Sequence, residues 1–421
     1  MINVKIAIKS LFRKGFFHVF GGSILNKIIG FLSSILLVRI LTKGEYGVFT
    51  YAWNIYSLIL LANGCGLESG TLQLCSERGS DKEYVQAVCG YSVKKGLLFN
   101  ISLLSALLLI GIAVPLKLDG ANEVIVLLCA LPMVKILYGI AISCLRSQKR
   151  NKDFARLSAA NVSVVCIASS LCAIWFRENG VAFGYYIGYA ISTAIACYGM
   201  KVSLFTKGGR LNVEDKKTLW SISIVSMCNA GLSQLLYLLD TFVLGMVNAE
   251  ETVIATYKVA TIVPSNLVFI TMAIITYIYP HFAAHRGDGK WCMQSYKKIL
   301  LLLGSCNLFV SIVLFTAAPL VIRLLYGNEY LDAVPIMRVL AVNFFFSGTF
   351  RVLSGNLLVT QRKLKFNFCV ALMAGTVNII ADFLFIQWWG AMGAAIATLL
   401  VVAITSVANT IYLVIVFKKN C

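Results

Sequence analysis

The chain has 421 residues, of which 59% are hydrophobic and 13% charged, and its formal net charge is +19. A mean hydropathy of +0.83 excludes a chain of this length from the class of soluble globular proteins. A strongly basic balance is typical of nucleic-acid binding or of the loops of a membrane protein, and the positions of the bases decide between the two.

Twelve apolar segments follow one another along the chain, each long enough for the about 20 residues that a membrane-spanning helix needs. They are 16–40, 46–72, 91–114, 124–146, 155–176, 180–205, 219–247, 252–282, 298–325, 334–360, 366–388 and 390–417. The gaps between these segments are short on both sides of the membrane. The sequence therefore predicts an all-α polytopic membrane protein with twelve transmembrane helices.

The basic residues lie in alternate gaps between these segments. Of the 37 Lys and Arg residues, 27 belong to one set of gaps and to the two ends of the chain, whereas the other set holds four: Lys43, Lys117, Arg177 and Arg323. Short loops with this bias face the cytoplasm, so both termini are expected there. Because the bases are dispersed over membrane loops, no nucleic-acid partner is expected.

The two halves of the chain resemble each other. Three pairs of segments match in order at shifts close to half the chain length: 39–51 with 245–257, 147–150 with 360–363, and 180–184 with 390–394. The shift is 206 residues for the first pair and 213 for the second. Such a duplication predicts two pseudo-symmetric six-helix bundles, residues 1–210 and 211–421, with the transport pathway between the halves.

Polar residues in two of the apolar segments repeat at helical spacing. In the seventh segment, steps of 3, 4, 4 and 3 place five of them on one face: Ser226, Asn229, Ser233, Tyr237 and Asp240. In the first segment, steps of 4, 3 and 4 do the same for Ser23, Lys27, Gly30 and Ser34. The 206-residue shift superposes the two stripes, so both halves are expected to present a polar face to a common interior.

Six basic residues lie within or at the ends of the apolar segments: Lys27, Arg39, Lys135, Lys258, Arg338 and Arg351. A charge at membrane depth costs at least about 2.5–3.5 kcal/mol, so such residues line a cavity or pair with an opposite charge. Arg39 and Arg338 stand near outer helix ends, where snorkelling to the interface explains them. Lys258 is open to either interpretation, and the central position of the remaining three favours a cavity.

The acidic residues of the apolar segments also have two interpretations. Asp240 and Asp382 either neutralise one of the cations or take up protons as a coupling pair, and Asn378 precedes Asp382 by one helical turn. Glu68 stands near the cytoplasmic end of its segment, where contact with solvent explains it.

No enzymatic chemistry is expected. The chain has three His and thirteen Cys, without a CxxC pair or a zinc-protease motif, so we expect neither a metal site nor a cofactor. No catalytic Ser/His/Asp order and no glycine-rich phosphate loop occur either. So few acid–base groups are typical of a transporter rather than an enzyme.

Several motifs resemble those of one transporter family. Leu37–Gly47 resembles the first outer loop of bacterial polysaccharide exporters, and 240–245 followed by Tyr257 resembles their seventh and eighth helices. Further motifs occur in the order of that family: 325–331, 361–363, 377–378 and 389–395. By these residues the whole chain is similar to the O-antigen and capsule repeat-unit flippases, the Wzx family of the multidrug/oligosaccharidyl-lipid/polysaccharide exporter superfamily. One departure is 387–389, Gln-Trp-Trp, where the family has Ile-Pro.

The resemblance implies a MATE-like fold in the bacterial cytoplasmic (inner) membrane. It also implies transport of an undecaprenyl-pyrophosphate-linked oligosaccharide from the cytoplasmic to the periplasmic leaflet, by alternating access through a cationic central cavity. Membrane lipids, a polysaccharide polymerase and a chain-length regulator are the partners that it implies.

The residues themselves suit this cargo, because a pyrophosphate needs cations where it crosses a region of low dielectric constant. The candidate substrate-binding cations are Lys27, Lys135, Lys258 and Arg351. The candidates for binding sugar hydroxyls are Ser23, Asn229, Ser233 and Tyr237.

Two other functions remain open at this point. A cation-coupled drug exporter of the same superfamily would need acids, rather than Lys27, on its first helix. A membrane-embedded oligosaccharide polymerase or ligase would need a large outer loop with catalytic residues, which none of the gaps is long enough to provide.

Overall fold

The computed structural model describes residues 16–78, 81–205, 211–247 and 250–419, and within these it leaves out the side chains of 16–20, 229, 232, 233, 236, 237, 280 and 364. The described chain is helical and contains no strand. In order, the α-helices are α1 (Phe16–Ile40), α2 (Lys43–Ile59), α3 (Leu67–Glu77), α4 (Lys82–Ala113), α5 (Ala121–Leu128), α6 (Leu131–Ser147), α7 (Asn151–Ala194), α8 (Val213–Val247), α9 (Glu251–Ala284), α10 (Gly289–Leu325), α11 (Ala333–Phe346), α12 (Leu353–Thr360) and α13 (Leu364–Lys419).

The helix lengths account for the twelve predicted membrane spans. Seven helices within the described ranges are long and apolar enough to cross a membrane, and the pair α5 and α6, bent by 45°, is so when taken together. Two of these helices, Asn151–Gly199 with 49 residues and Lys365–Lys419 with 55, are long enough to cross twice at about 20 residues a crossing. The two remaining predicted segments, 46–72 and 219–247, correspond to α2 with α3 and to α8. The predicted fold class is confirmed.

The described chain forms two compact units, Met1–Leu235 and Leu236–Cys421. The first unit therefore includes the first part of α8, which the sequence analysis assigned to the C-terminal bundle. In the N-terminal unit, α6 and α7 pack around buried residues such as Ile136, Ile140 and Leu157. In the C-terminal unit, α9, α12 and α13 enclose Phe282, Leu357 and Phe417. The assignment of residues 1–210 and 211–421 to separate six-helix bundles stays a prediction.

The backbone repeats at a shift of 213 residues. Helix α7 is broken at Arg177 (φ 52°, ψ −134°), and α13 is broken at Gly390 with nearly the same dihedral angles (φ 54°, ψ −132°). Lys149 and Arg362, each in the turn before one of these long helices, both have φ 57°. This register corrects the sequence match of 180–184 with 390–394 by three residues, since the breaks place Gly393, rather than Gly390, at the position equivalent to Gly180.

The second predicted span is not one helix. Between α2 and α3 lies a 3₁₀ segment, Leu60–Gly66, with non-helical backbone at Asn63, Gly64 and Cys65. A break at membrane depth leaves backbone groups without helical partners, which must be satisfied within the protein. Asn100 of α4 does this for Gly64, because its Oδ1 accepts a hydrogen bond from the Gly64 amide at 2.8 Å.

The first outer loop motif closes the start of α2. Thr42 Oγ1 accepts a hydrogen bond from the Glu45 amide at 3.3 Å, and Glu45 Oε2 accepts one from the Thr42 amide at 2.8 Å, so the two form a capping box. The other Glu45 oxygen accepts a hydrogen bond from Nε of Arg177 at 2.8 Å. The motif therefore ties the start of α2 to the break in α7.

Apolar side chains remain exposed on the surface of the helices. On α1, Leu25, Ile28, Leu32 and Leu36 are between 44% and 51% exposed and follow one another at three- to four-residue steps. In water such a stripe would be unfavourable, whereas in a bilayer it faces lipid.

Candidate ion and substrate sites

Two aspartates lie side by side in the C-terminal unit. Asp240 of α8 is 9% exposed and Asp382 of α13 is fully buried. Their carboxyl groups interact electrostatically. Neither oxygen of Asp382 accepts a hydrogen bond from a donor in the part of the chain that the structure describes. Asp240 and Asp382, with the surrounding Tyr257, Arg351, Asn378 and Thr398, are called the acidic site below.

Donors from two helices hold the carboxylate of Asp240. Its Oδ2 accepts hydrogen bonds from the hydroxyl of Tyr257 at 2.8 Å and from that of Thr398 at 2.6 Å. Its Oδ1 accepts one from Nδ2 of Asn378 at 3.2 Å. Tyr257 belongs to α9, while Asn378 and Thr398 flank the break in α13.

A helix distortion places a cation beside this pair. Between α11 and α12 the chain forms a π-helical segment, Ser347–Val352, which contains Arg351. Such π-bulges are frequent at functional sites. The guanidinium of Arg351 interacts electrostatically with Asp240. The acidic site thus contains two carboxyl groups and one guanidinium group.

A second charged group lies in the N-terminal unit, at the break between α2 and α3. Oε1 of Glu68 accepts a hydrogen bond from Nδ2 of Asn63 at 3.1 Å, and Asn63 Oδ1 accepts one from Asn100 at 3.0 Å. Glu68 also interacts electrostatically with Lys135 of α6, and both side chains are half-buried. These four residues are called the Glu68 cluster. Glu68 thus has protein partners, which corrects the expectation that contact with solvent alone explains it.

Pro132 shapes this cluster from the neighbouring helix. It stands in the first turn of α6, where a missing amide costs no helical hydrogen bond. Its carbonyl accepts a hydrogen bond from Nδ2 of Asn100 at 2.8 Å. Asn100 therefore joins α6 and the broken segment, and Lys135 follows less than one turn after Pro132.

The remaining predicted cations differ in their surroundings. Lys27 and Ser23 are exposed on α1. The neighbouring Asn26 is turned toward α7, where its Nδ2 donates to Oγ of Ser158 at 2.6 Å. Lys258 is half-buried on α9.

The structure thus brings Arg351, Asp240 and Asp382 together in one site and places Lys135 beside Glu68. The side chains of Asn229, Ser233 and Tyr237 lie outside the described residues. The assignment of all these residues to substrate binding or coupling stays a prediction.

Some members of the two sites were not singled out from the sequence. Thr398 is a lone hydroxyl in an Ala-rich stretch and carries no pattern. Asn63 and Asn100 lie in apolar segments with no second polar residue at helical spacing to mark them. The Asn63-Gly64 dipeptide, however, is a turn signal, and it would have indicated the break in the second span.

Comparison with solved structures shows the class of fold. The chain is similar to an inward-facing multidrug resistance MATE family transporter of the MOP superfamily, with a TM-score of 0.76 at 12% identity, over 94% of this chain and 95% of that one. It is similar to the lipid II flippase MurJ in an inward closed conformation, with a TM-score of 0.72 at 15% identity, over 96% and 89% of the two chains. A MOP superfamily transporter from Pyrococcus furiosus also matches, with a TM-score of 0.64 at 13% identity, over 98% and 96%. The fold is that of the MOP superfamily transporters.

Sequence comparison shows the family within that class. The model of the family described as "Polysaccharide biosynthesis protein" matches residues 36–335, and the chain belongs to this family. A curated relative from Klebsiella pneumoniae, described as an uncharacterized membrane protein in the cps region, is 22% identical over 407 residues, which cover 94% of this chain and 80% of the relative. The resemblance inferred from the sequence motifs is confirmed.

Proposed function

We propose that this multi-pass membrane protein is a flippase. It moves an undecaprenyl-pyrophosphate-linked oligosaccharide, the repeat unit of an O-antigen, capsule or related polysaccharide, from the cytoplasmic to the outer leaflet of the bacterial cytoplasmic membrane. It acts by alternating access, catalyses no covalent step, and has both termini in the cytoplasm. After transport, the repeat unit goes to a polymerase and a chain-length regulator, which are the proposed partners of this protein.

The observation that carries this proposal is a set of cations on membrane-spanning helices in a protein of the polysaccharide biosynthesis family. Lys27, Lys135 and Lys258 retain accessible surface there, although a charge at membrane depth is unfavourable by at least about 2.5–3.5 kcal/mol. A pyrophosphate supplies negative charge to Lys27 and Lys258, and it adds to that of Glu68 beside Lys135. An inside-negative potential also favours its outward movement, by about 2.3 kcal/mol per charge per 100 mV.

The acidic site supports a coupling role. With Arg351 balancing one carboxylate, the pair of Asp240 and Asp382 takes up one monovalent cation, a proton or Na⁺, in each transport cycle. The oxygens of Asp382, which accept no hydrogen bond within the described residues, are the acceptors for it. A buried carboxylate that accepts no hydrogen bond is unfavourable, so the loaded and empty states differ in free energy and bias the conformational equilibrium.

The second candidate function is that of a cation-coupled drug exporter, and the acidic site together with the MATE-like fold favours it. A cationic drug would need negative charge along its route. Helix α1 has no acidic residue and carries Lys27 on an exposed face. This arrangement favours an anionic cargo over a cationic one.

The cationic residues can be tested in a bacterial strain that lacks its own copy of the protein. Separate changes of Lys27, Lys135, Lys258 and Arg351 to Ala should each lower surface polysaccharide by about tenfold, while the protein reaches the membrane at the normal level. Polysaccharide is measured by gel and blot, and protein by immunoblot of membranes.

The matched control is Lys363→Ala, which removes an exposed lysine from the turn before α13 and should leave polymer unchanged. Normal polymer from all four site variants would contradict the proposed function. Loss of drug resistance, with polymer intact, would favour the exporter instead.

A further inference from the structure

The N-terminal unit contains a row of aromatic rings that runs up to the Glu68 cluster. Trp53 of α2 stacks on Tyr185 of α7 with ring centroids 4.3 Å apart and an interplanar angle of 28°. Tyr185 continues to Tyr189 at 6.5 Å, and Tyr189 meets Tyr138 of α6 edge-on at 5.4 Å. These four residues are called the aromatic row. Its members come from three helices, so the row is a product of the fold rather than of one helical stripe.

The residues of the row are not fully buried. Each of the four is half-buried. Other aromatic residues of α2 are buried, with Tyr46, Tyr51 and Tyr56 at 5%, 3% and 0% exposed. Those three are core residues, whereas the four residues of the row keep some surface accessible.

Close packing of helix α7 on itself sets the direction of the row. Its two halves meet after the break at Arg177, and Gly184 lies directly against the backbone of Ser169, where a Cβ atom would not fit. Tyr185 is the next residue and points about 100° around the helix from that contact. Tyr189 follows one turn later on the same face.

The row ends at charges that suit one end of the proposed cargo. Tyr138 and Tyr189 both lie close enough to Glu68 to interact with it electrostatically, and Glu68 in turn faces Lys135. Lys135 is a candidate partner of the pyrophosphate. In a lipid-linked oligosaccharide the first sugar is bonded directly to that pyrophosphate, so a headgroup held at Lys135 places its first sugars beside Tyr189 and Tyr185.

The chemistry of the row matches a sugar ring. A pyranose has C–H groups on its faces and hydroxyls at its edge, so it packs on a flat aromatic ring while polar groups at the rim bind the hydroxyls. Tyr and Trp supply a flat face together with a polar tip, and Glu68 and Asn63 add polar groups at the end of the row.

We propose that the aromatic row is the saccharide subsite of the protein, on which the sugars next to the pyrophosphate stack during transport. This inference rests on the proposed function. It adds a contact for the sugar that is separate from the cations that hold the pyrophosphate.

The test measures binding of two lipids to the full-length protein in nanodiscs: undecaprenyl pyrophosphate, and the same lipid carrying N-acetylglucosamine. The wild type should bind the sugar-bearing lipid about tenfold more tightly. Tyr185→Leu combined with Tyr189→Leu should abolish that preference and leave the affinity for undecaprenyl pyrophosphate within about twofold. Leucine keeps apolar volume in the site but offers no flat ring.

Two further variants separate stacking from general disruption. Tyr185→Phe combined with Tyr189→Phe keeps both rings and should retain most of the preference. Trp53→Leu should reduce the preference, whereas Trp175→Leu, at a tryptophan that is 81% exposed on α7, should not.

The outcomes distinguish this inference from the proposed function. Equal affinity of the wild type for the two lipids, or an unchanged preference in the leucine variants, would overturn the saccharide subsite alone. Failure of the wild type to bind either lipid would contradict the proposed function itself.

Discussion

At the scale of single residues, the acidic site concentrates opposite charges that the sequence scatters over three regions of the chain. Asp240, Arg351 and Asp382 are far apart in sequence and become neighbours only because α8, the π-helical segment and α13 pack together. The sequence identified each of them as a charged residue inside an apolar segment. The sequence does not show which of these charged residues pair, because the π-bulge rotates Arg351 away from the direction that a regular helix would give it.

A neutral substitution at Asp382 tests its proposed role in coupling. In vesicles containing the protein, wild-type transport of the lipid-linked oligosaccharide should accelerate when a proton or Na⁺ gradient is imposed. Asp382→Asn resembles the neutralised carboxyl group and should transport at a rate that neither gradient changes. The measurement is the initial transport rate with and without each gradient.

The exposed Asp119 provides the control, since Asp119→Asn removes a carboxylate outside the site and should keep the full response. A wild-type rate that is insensitive to both gradients would exclude the coupling role. A response to only one gradient would identify the ion.

At the scale of secondary-structure elements, the breaks in the helices are the features that sequence periodicity missed. The sequence predicted a single span for 46–72, whereas α2 ends at Ile59 and α3 begins only at Leu67. An apolar pattern continues through such a break, because lipid and protein interior both favour apolar residues on either side of it. The information lies instead in the local turn residues and in Asn100, whose side-chain amide binds the broken segment.

The equivalent breaks at Arg177 and Gly390 allow a test of backbone strain. Their dihedral angles average about 53° for φ and about −133° for ψ. Glycine adopts this combination readily, whereas other residues do not. Gly390→Ala should therefore destabilise the protein by about 1–3 kcal/mol. Arg177→Gly should leave it at least as stable, because relief of similar strain exceeds the about 0–1 kcal/mol of an exposed ion pair with Glu45.

Thermal unfolding of the purified protein in detergent measures both effects. Gly30→Ala is the matched control, since Gly30 lies within α1 with nothing near its Cβ position, and the change should be neutral or favourable by up to about 1 kcal/mol. A Gly390→Ala protein as stable as the Gly30→Ala protein would show that the break carries no strain.

At the scale of the whole molecule, composition and charge distribution predicted the fold class well. Twelve apolar segments and a one-sided distribution of bases are strong signals, since each follows from the cost of placing polar groups in hydrocarbon. Ion pairs agree with the predicted sides: Glu45 and Arg177 belong to the same predicted face, and so do Arg78 and Asp215, whose side chains approach to 3.7 Å. The internal repeat was also visible, although its register near residues 180 and 390 emerged only from the backbone.

The sites were less predictable than the fold for a physical reason. A membrane segment needs only to be apolar enough and long enough. Its sequence therefore says more about which residues face lipid than about which polar residues contact one another inside the protein. Lys135 was recognisable as a central cation, but its partner Glu68 was not, because the partnership depends on the broken backbone at Asn63 and Gly64.

The most direct test of the central claim is translocation by the purified protein in sealed vesicles. An undecaprenyl-pyrophosphate-linked oligosaccharide with a fluorescent sugar is placed in one leaflet, and its transfer is followed by loss of access to a membrane-impermeant quencher. The wild type should transfer the lipid faster than protein-free vesicles, and the variant with Lys27, Lys135 and Lys258 all changed to Ala should be slower by about tenfold or more. Transfer at the protein-free rate, or export of a cationic dye in place of the lipid, would contradict the claim that this protein is a flippase for lipid-linked oligosaccharides.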